Sequence, residues 1–258
     1  MMIDAVVMAG GGKIEPLAGQ EGVPNKAFIM LQGKPLVGHV ISALADAPSV
    51  GRIVVVGPAR GLKELQKAGY SFNAVDEAGS MLENAAAGLE QVDKDKPCLM
   101  VTADIPLLRA PVVESFLALC EPFDHDLYYP ILSRECCERS FPETRRTYVK
   151  LRDGCFTGGN IILINPRWFF KNRDRLDIFI ATRKKPLKLL RLLPFSFLIK
   201  FLTRRLSVAD LEKELSRIMD CKARAVPCDL VEIGTDVDKI SDLEAVNRAF
   251  KYGYTVQK

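Results

Sequence analysis

The sequence specifies an α/β protein with a three-layer, mostly parallel, doubly wound sheet and a helical insertion at about residues 166–222, all read as one domain over 1–258. Three features carry that reading. Short apolar runs alternate with stretches of helical period. The runs at Ile3 to Met8 and Cys98 to Val101 are continuous and unalternating, as strands buried on both faces are. Each feeds a turn, Ala9-Gly10-Gly11-Gly12 after the first and Ala103-Asp104-Ile105-Pro106 after the second. In doubly wound sheets ligands bind beyond the carboxyl ends of the strands, so both turns are expected to face one crevice.

The elements follow in order. Residues 3–8 form a strand, and Lys34 to Ala47 a helix with Leu36, Val37, Val40, Ile41 and Leu44 on one face. Arg52 to Val56 is a strand, β-branched from Ile53 on and ended by Gly57-Pro58. A short helix is expected over Leu62 to Lys67, a short strand over Phe72 to Asp76 and an alanine-rich helix over Ser80 to Gln91. After the strand at Pro97 to Thr102 comes a helix over Ala110 to Leu119, with Pro111 suited to its first turn. Leu127 to Ser133 is a strand. Tyr148 to Leu151, a turn at Asp153-Gly154, and Gly158-Gly159-Asn160 leading into Ile161 to Ile164 make a second strand-rich part. Ser207 and Asp210 form a capping box for a helix with Leu211, Leu215 and Ile218 on one stripe. Arg224 to Pro227 and Leu230 to Ile233 read as short strands, and a last helix, capped by Ser241 to Glu244, runs to Phe250.

Composition is that of an ordinary globular chain, 48% apolar and 26% charged over 258 residues. The seven cysteines include no CxxC and no zinc spacing, so free thiols and a cytoplasmic setting are expected. Met1 to Met8 carries Asp4 and no basic region, so no signal peptide is read there. His39 lies on the first helix, where a structural role is expected. Eleven Lys or Arg against two acids fall between Lys171 and Arg205, a local charge of +9 within a net +4, which leaves −5 elsewhere. The basic balance thus belongs to one segment and gives no ground for nucleic-acid binding.

The first forty residues carry the chemistry. A glycine turn at a strand's end exposes backbone N–H groups that a phosphate can approach closely. Lys13 and Lys26 are near enough in sequence to flank the same anion. The turn fits neither GxGxxG nor the GxxxxGK[ST] P-loop. Four elements in this order resemble the MobA-like NTP transferases, the nucleotidyltransferase branch with a glycosyltransferase-A-like fold that contains the molybdenum-cofactor guanylyltransferase. They are Met8-Ala9-Gly10-Gly11-Gly12-Lys13-Ile14-Glu15, Pro24-Asn25-Lys26, Val101-Thr102-Ala103-Asp104 and Asp236-Val237-Asp238 before Ser241-Asp242-Leu243. The likeness covers roughly residues 3–165 and 226–250.

The resemblance implies a Mg²⁺-dependent transfer of NMP from an NTP to a phosphorylated or hydroxyl small-molecule acceptor. It implies that the N–H groups of Ala9, Gly10, Gly11 and Gly12 hold the β- and γ-phosphates, with Lys13 beside them. Lys26 would sit against the α-phosphate or the acceptor phosphate. Asp104 and Asp238, with Asp236 in reserve, would hold the metal. Gly79, Ser80 and Asn84 match where the family reads the base, and Thr157 to Asn160, with Gly159 and Asn160 at its end, matches a turn lining the acceptor pocket. The signature arginine falls at Glu15 and the second signature glycine at Lys13. Either Lys13 supplies the missing positive charge or the loop serves another ligand, so an inactive nucleotide-binding regulator stands as an alternative. A nucleotide-sugar glycosyltransferase shares the fold, but its usual DxD is here Thr102-Ala103-Asp104.

Lys184 to Leu206 is basic and apolar. Lys188, Arg191, Lys200, Arg204, Arg205 and Pro194 interrupt it, so it is not a membrane span. It reads as two amphipathic helices, the first with Lys184, Lys188 and Arg191 on one face, the second with Ser196, Lys200, Thr203 and Arg204. Three roles stand open: a lid or dimer element packed on the domain, peripheral contact with an anionic membrane through 184–206, or a cover over a lipid-like or prenyl acceptor. A membrane-surface role suits an alcohol- or lipid-phosphate acceptor better than a molybdopterin.

Overall fold

The computed structural model describes residues 1–11, 16–23, 25–182 and 194–253. Gly12, Lys13, Glu15 and Pro24 of the predicted phosphate loop, and Lys184, Lys188 and Arg191 of the first basic helix, lie outside these.

The chain begins with β1 (Ile3–Met8), α1 (Pro16–Gln20), a 3₁₀ turn (Lys26–Phe28), the small hairpin β2 (Met30–Leu31) and β3 (Lys34–Pro35), and α2 (Leu36–Ala45). Then come β4 (Val50–Gly57), α3 (Ala59–Lys67), β5 (Asn73–Asp76), α4 (Met81–Leu89), β6 (Cys98–Thr102) and α5 (Ala110–Cys120). The second part holds β7 (Leu127–Ser133), α6 (Arg134–Ser140), β8 (Val149–Leu151), β9 (Gly154–Gly158) and β10 (Ile161–Ile164). The insertion follows as α7 (Pro166–Lys171), α8 (Arg173–Thr182), α9 (Phe195–Leu202) and α10 (Val208–Met219). The chain closes with β11 (Ala223–Cys228), a 3₁₀ turn (Val231–Gly234) and α11 (Ile240–Tyr252).

The main sheet runs β5-β4-β1-β6-β10-β7-β9-β8, with β11 beside β7. The pairs among β5, β4, β1 and β6 are parallel, as is β7 with β11. β10 runs against both β6 and β7, and β9 against β7 and β8. β10 takes the start of one β7 edge (Leu163 opposite Tyr128) and β9 its end (Ile131 opposite Gly158). The turn Gly159-Asn160 between them therefore lets one length of chain leave β6 and move onto β8.

Alternation divides the core. Ala5, Val7, Leu99, Val101, Ile161 and Leu163 meet α2 and α5 on one face; Val6, Val54, Val56, Cys98 and Ile164 meet α4 and the insertion on the other. Gly88 marks how closely α4 lies on the sheet, since a Cβ there would stand 2.5 Å from a methyl of Val6.

Most expected elements are present within a residue or two. The Ser207–Asp210 capping box forms, the Ser207 hydroxyl accepting from Asp210 N–H at 3.2 Å. All seven cysteines are free. His39 Nε2 donates to the Leu31 carbonyl at 2.9 Å, a structural role, and burial lowers its pKa. One expectation fails. Leu230 to Ile233 is not a strand: β7's outer edge is already paired with β11 through Cys228, so the chain coils into a 3₁₀ turn with Val231 and Ile233 buried. The last helix starts at Ile240, and Asp242 of the expected capping stretch accepts from the N–H groups of Asp238 and Lys239 at 3.2 Å. Among the described residues no helix is long and apolar enough to cross a membrane.

Gly88→Val places two further methyls into this contact, and the lost volume outweighs any local gain. Urea unfolding is expected to show a loss of about 1–3 kcal/mol; unchanged stability would mean that α4 stands off the sheet.

Candidate active site

The site lies at the carboxyl ends of β1 and β6. β1 delivers Ala9, whose N–H bonds the Val56 carbonyl at 2.8 Å, and then Gly10 and Gly11. Gly10 is closely approached: a Cβ would lie 2.8 Å from Asn84 Nδ2 and 3.0 Å from a Glu77 carboxylate oxygen, so any side chain there would displace them. The Gly11 N–H donates to Glu77 Oε2 at 3.2 Å. The exposed glycine turn thus already holds an anionic oxygen, supplied by the chain itself.

Asn25 closes the next loop. Its Nδ2 donates to the Ala9 carbonyl at 2.6 Å, and its Oδ1 accepts from Ala27 N–H at 2.9 Å, capping the 3₁₀ turn that carries Lys26. The glycine turn and Lys26 are therefore tied through one side chain. Lys26 Nζ lies 2.7 Å from Asp104 Oδ2 and also bonds Asp238 Oδ1. Burial alone would lower the Lys26 pKa; the carboxylates of Asp104 and Asp238 outweigh it and raise the pKa above the ordinary lysine value.

The acidic pair arrives from far along the chain. Val237 N–H donates to the Asp104 carbonyl at 3.0 Å, which fixes Asp236 and Asp238 on either side of that contact. The preceding turn is pinned by Arg109 on buried Glu232 at 2.9 Å and by Arg146, which reaches the Gly234 carbonyl and Thr235 Oγ1. Oxygens of Asp104, Asp236 and Asp238 come within 4.8 Å of one another. Among the described residues the buried Asp104 Oδ1 has no hydrogen-bond partner. Burial first, then the charges of Asp104 and Asp238, push the Asp236 carboxyl up to about 6. An all-oxygen set with one orphaned lone pair fits a hard divalent cation.

The remaining expected residues stand around this centre. Asn84 is buried, and its Oδ1 accepts from Ala78 N–H at 2.6 Å, so it braces the loop after β5 against Gly10. Ser80 caps α4 in a box with Glu83, and Gly79 precedes it with φ +106°. Gly159 N–H bonds the Pro130 carbonyl; Asn160 N–H bonds Ile233 O at 2.7 Å, and its carbonyl accepts from Thr102 N–H at 3.0 Å, two residues before Asp104. Sequence reasoning missed Asn25 and Glu77. Asn25 had a signal, an Asn just before Lys26 at a cap position; Glu77 had none.

Residues 5–185 match the MobA-like NTP transferase domain. The chain belongs to that family. It is a nucleotidyltransferase, as the order of motifs had implied. A hypothetical transferase from Thermus thermophilus is 37% identical, with a TM-score of 0.83, covering 94% of this chain and 100% of that one. A CMP:2-keto-3-deoxy-manno-octonic acid synthetase complexed with CTP superposes at TM-score 0.65 and 14% identity, over 97% of this chain and 99% of its own. 4-Diphosphocytidyl-2C-methyl-D-erythritol synthase of Anaerococcus prevotii does so at 0.57 and 10%, over 97% and 98%. These two share the fold. No curated protein matches the sequence.

In metal-free buffer the raised Asp236 pKa means that the native state keeps a proton which the unfolded chain releases near 3.8. The stabilisation is fully present below about pH 4 and is lost as pH rises through about 6. Urea midpoints of wild type minus Asp236→Asn, measured with EDTA, are expected to fall across that window; a flat difference would mean that the carboxyl titrates normally.

Proposed function

We propose that this chain moves NMP from an NTP onto a phosphorylated or hydroxyl acceptor, with Mg²⁺ and with release of pyrophosphate. One observation carries the reading: Lys26 lies between Asp104 and Asp238, with Asp236 beside them and the glycine turn tied in through Asn25. An acceptor oxygen attacks the α-phosphorus; the new P–O bond forms as the bond to the β-bridging oxygen breaks, and pyrophosphate leaves with that electron pair. Such a step needs alignment and charge stabilisation more than covalent work from side chains.

The chain's residues divide this work. The N–H groups of the glycine turn receive β- and γ-phosphate oxygens, the Glu77 carboxylate giving way to them. Lys26 is the cation that follows charge from its carboxylate partners to the α-phosphate oxygens, as a compact ammonium suits. Asp104, Asp236 and Asp238 would hold Mg²⁺, which supplies Lewis-acid neutralisation of phosphate charge. Asn84 keeps Gly10 and the 77–80 loop in register, so its part in base selection runs through the backbone it braces.

The test is thermal unfolding with ATP, GTP, CTP and UTP, each with and without Mg²⁺, since a ligand of the native state alone raises the melting temperature. One NTP is expected to shift it, only with Mg²⁺, and to yield pyrophosphate in the presence of an acceptor. Lys26→Ala should lower kcat by about 10²–10³-fold. No shift with any of the four would overturn the triphosphate site, and a shift without pyrophosphate release from any phosphorylated or hydroxyl acceptor would favour the nucleotide-sensing alternative.

A further inference from the structure

Beyond the acidic cluster, a cavity of about 680 Å³ lies between the sheet and the insertion. That volume is within the ~300–1,000 Å³ typical of small-molecule sites. Tyr129 and Ile131 of β7 and Phe156 of β9 line it from the sheet; Phe179 of α8, Phe201 of α9 and Leu215 of α10 line it from the helices.

The charged groups on its wall are already engaged. Glu212 Oε1 accepts from Ala225 N–H at 2.7 Å, and Glu214 accepts from Arg217 Nε at 2.7 Å. Arg224 donates to the Glu121 carbonyl at 3.4 Å and lies over the Tyr128 ring. A polar ligand would lose its water there and gain little in return, whereas hydrocarbon loses nothing.

One wall of the cavity leads toward the acidic cluster. Thr157 and Gly158 form part of it, and the next two residues lead through the Asn160 carbonyl to Thr102, two residues from Asp104. Each of these two-residue steps spans at most about 7 Å. On its other side stands α9, with Ile199, Phe201 and Leu202 exposed (46%, 52% and 79%). Lys200 of α9 is held by Asp210 at 2.6 Å, and Arg204 and Arg205 follow the helix. An apolar chamber whose wall leads toward a phosphate-chemistry centre complements an amphiphilic anion.

We propose that the acceptor is a lipid-like phosphate or alcohol whose hydrocarbon chain fills this cavity while its polar head meets the α-phosphate at Asp104 and Lys26. This rests on the nucleotidyl-transfer reading and names its acceptor class.

Calorimetric titration of the full chain with ethyl, octyl and dodecyl phosphate, each as monomer, tests it. Affinity is expected to rise about 3–4-fold for each added methylene until the cavity is full. Ala225→Phe and Ile131→Phe, which occupy the cavity from neighbouring strands, are expected to weaken dodecyl phosphate by about tenfold or more, the worth of two methylenes. Both should keep the NTP-dependent thermal shift, which also reports that they fold. Affinity independent of chain length would overturn the proposal, as would binding undiminished in whichever variant folds. Binding to phosphatidylglycerol vesicles without uptake of monomeric dodecyl phosphate would overturn it in favour of surface contact alone. A persisting NTP shift with no alkyl phosphate bound defeats only this inference; loss of both defeats the nucleotidyl-transfer reading too.

Discussion

Three carboxylates drawn within 4.8 Å of one another repel, and the chain tolerates this because Lys26 stands among them. Like charges at such a distance raise one another's pKa, as the Asp236 carboxyl shows, unless a cation intervenes. Most of what surrounds the site holds that balance in place. Asn25 fixes the turn that carries Lys26 and clamps it to Ala9. Val237 N–H on the Asp104 carbonyl fixes the acidic pair. Arg109 and Arg146 anchor the turn before it, well outside the ring of carboxylates. Removing one carboxylate or the lysine therefore disturbs every partner, because the remaining charges lose their counterweight while still partly out of water.

The sheet places this cluster where doubly wound folds place ligands. β1 and β6 are neighbours with Met8 opposite Thr102, so the glycine turn and Asp104 leave the sheet side by side. The kink at Gly159-Asn160 then separates β10 from β9 and turns the second half of the sheet away from the first. One face of that second half receives α8, α9 and α10 rather than a tight helix layer, and an apolar chamber results. The acidic cluster and the apolar volume are consequences of the same topology, one at the strand ends and one on the strand faces.

Much of this could be read from residues in order. The short apolar runs at 3–8 and 98–101 read as buried strands, which puts the glycines and Asp104 after them at strand ends. Ser207 with Asp210 announced its helix through a local hydrogen-bond pattern, which sequence encodes directly. Register is not encoded that way. Nothing in Leu127 to Ser133 says that one edge is shared between two strands, and a β-branched run at Leu230 to Ile233 looks extended until the edge it would need is found occupied. Glu77 shows a further limit: its part depends on where β5 ends relative to β1, two strands away, and no local pattern carries that. The chamber, likewise, is a gap between elements, and a sequence records only what fills space.

The measurement that bears most directly on the central cluster is Mn²⁺ binding, read from loss of the free-ion EPR signal, with and without the NTP that raises the melting temperature. Mn²⁺ takes the same oxygen ligands as Mg²⁺. One ion is expected to bind tightly only when NTP is present, because the phosphate draws Lys26 away from the carboxylates and frees them for the metal. In Asp104→Asn its affinity should fall by about tenfold or more. Mn²⁺ bound equally well by that variant, or no binding with any NTP, would contradict the assignment of these three aspartates and of Lys26 as their exchangeable partner.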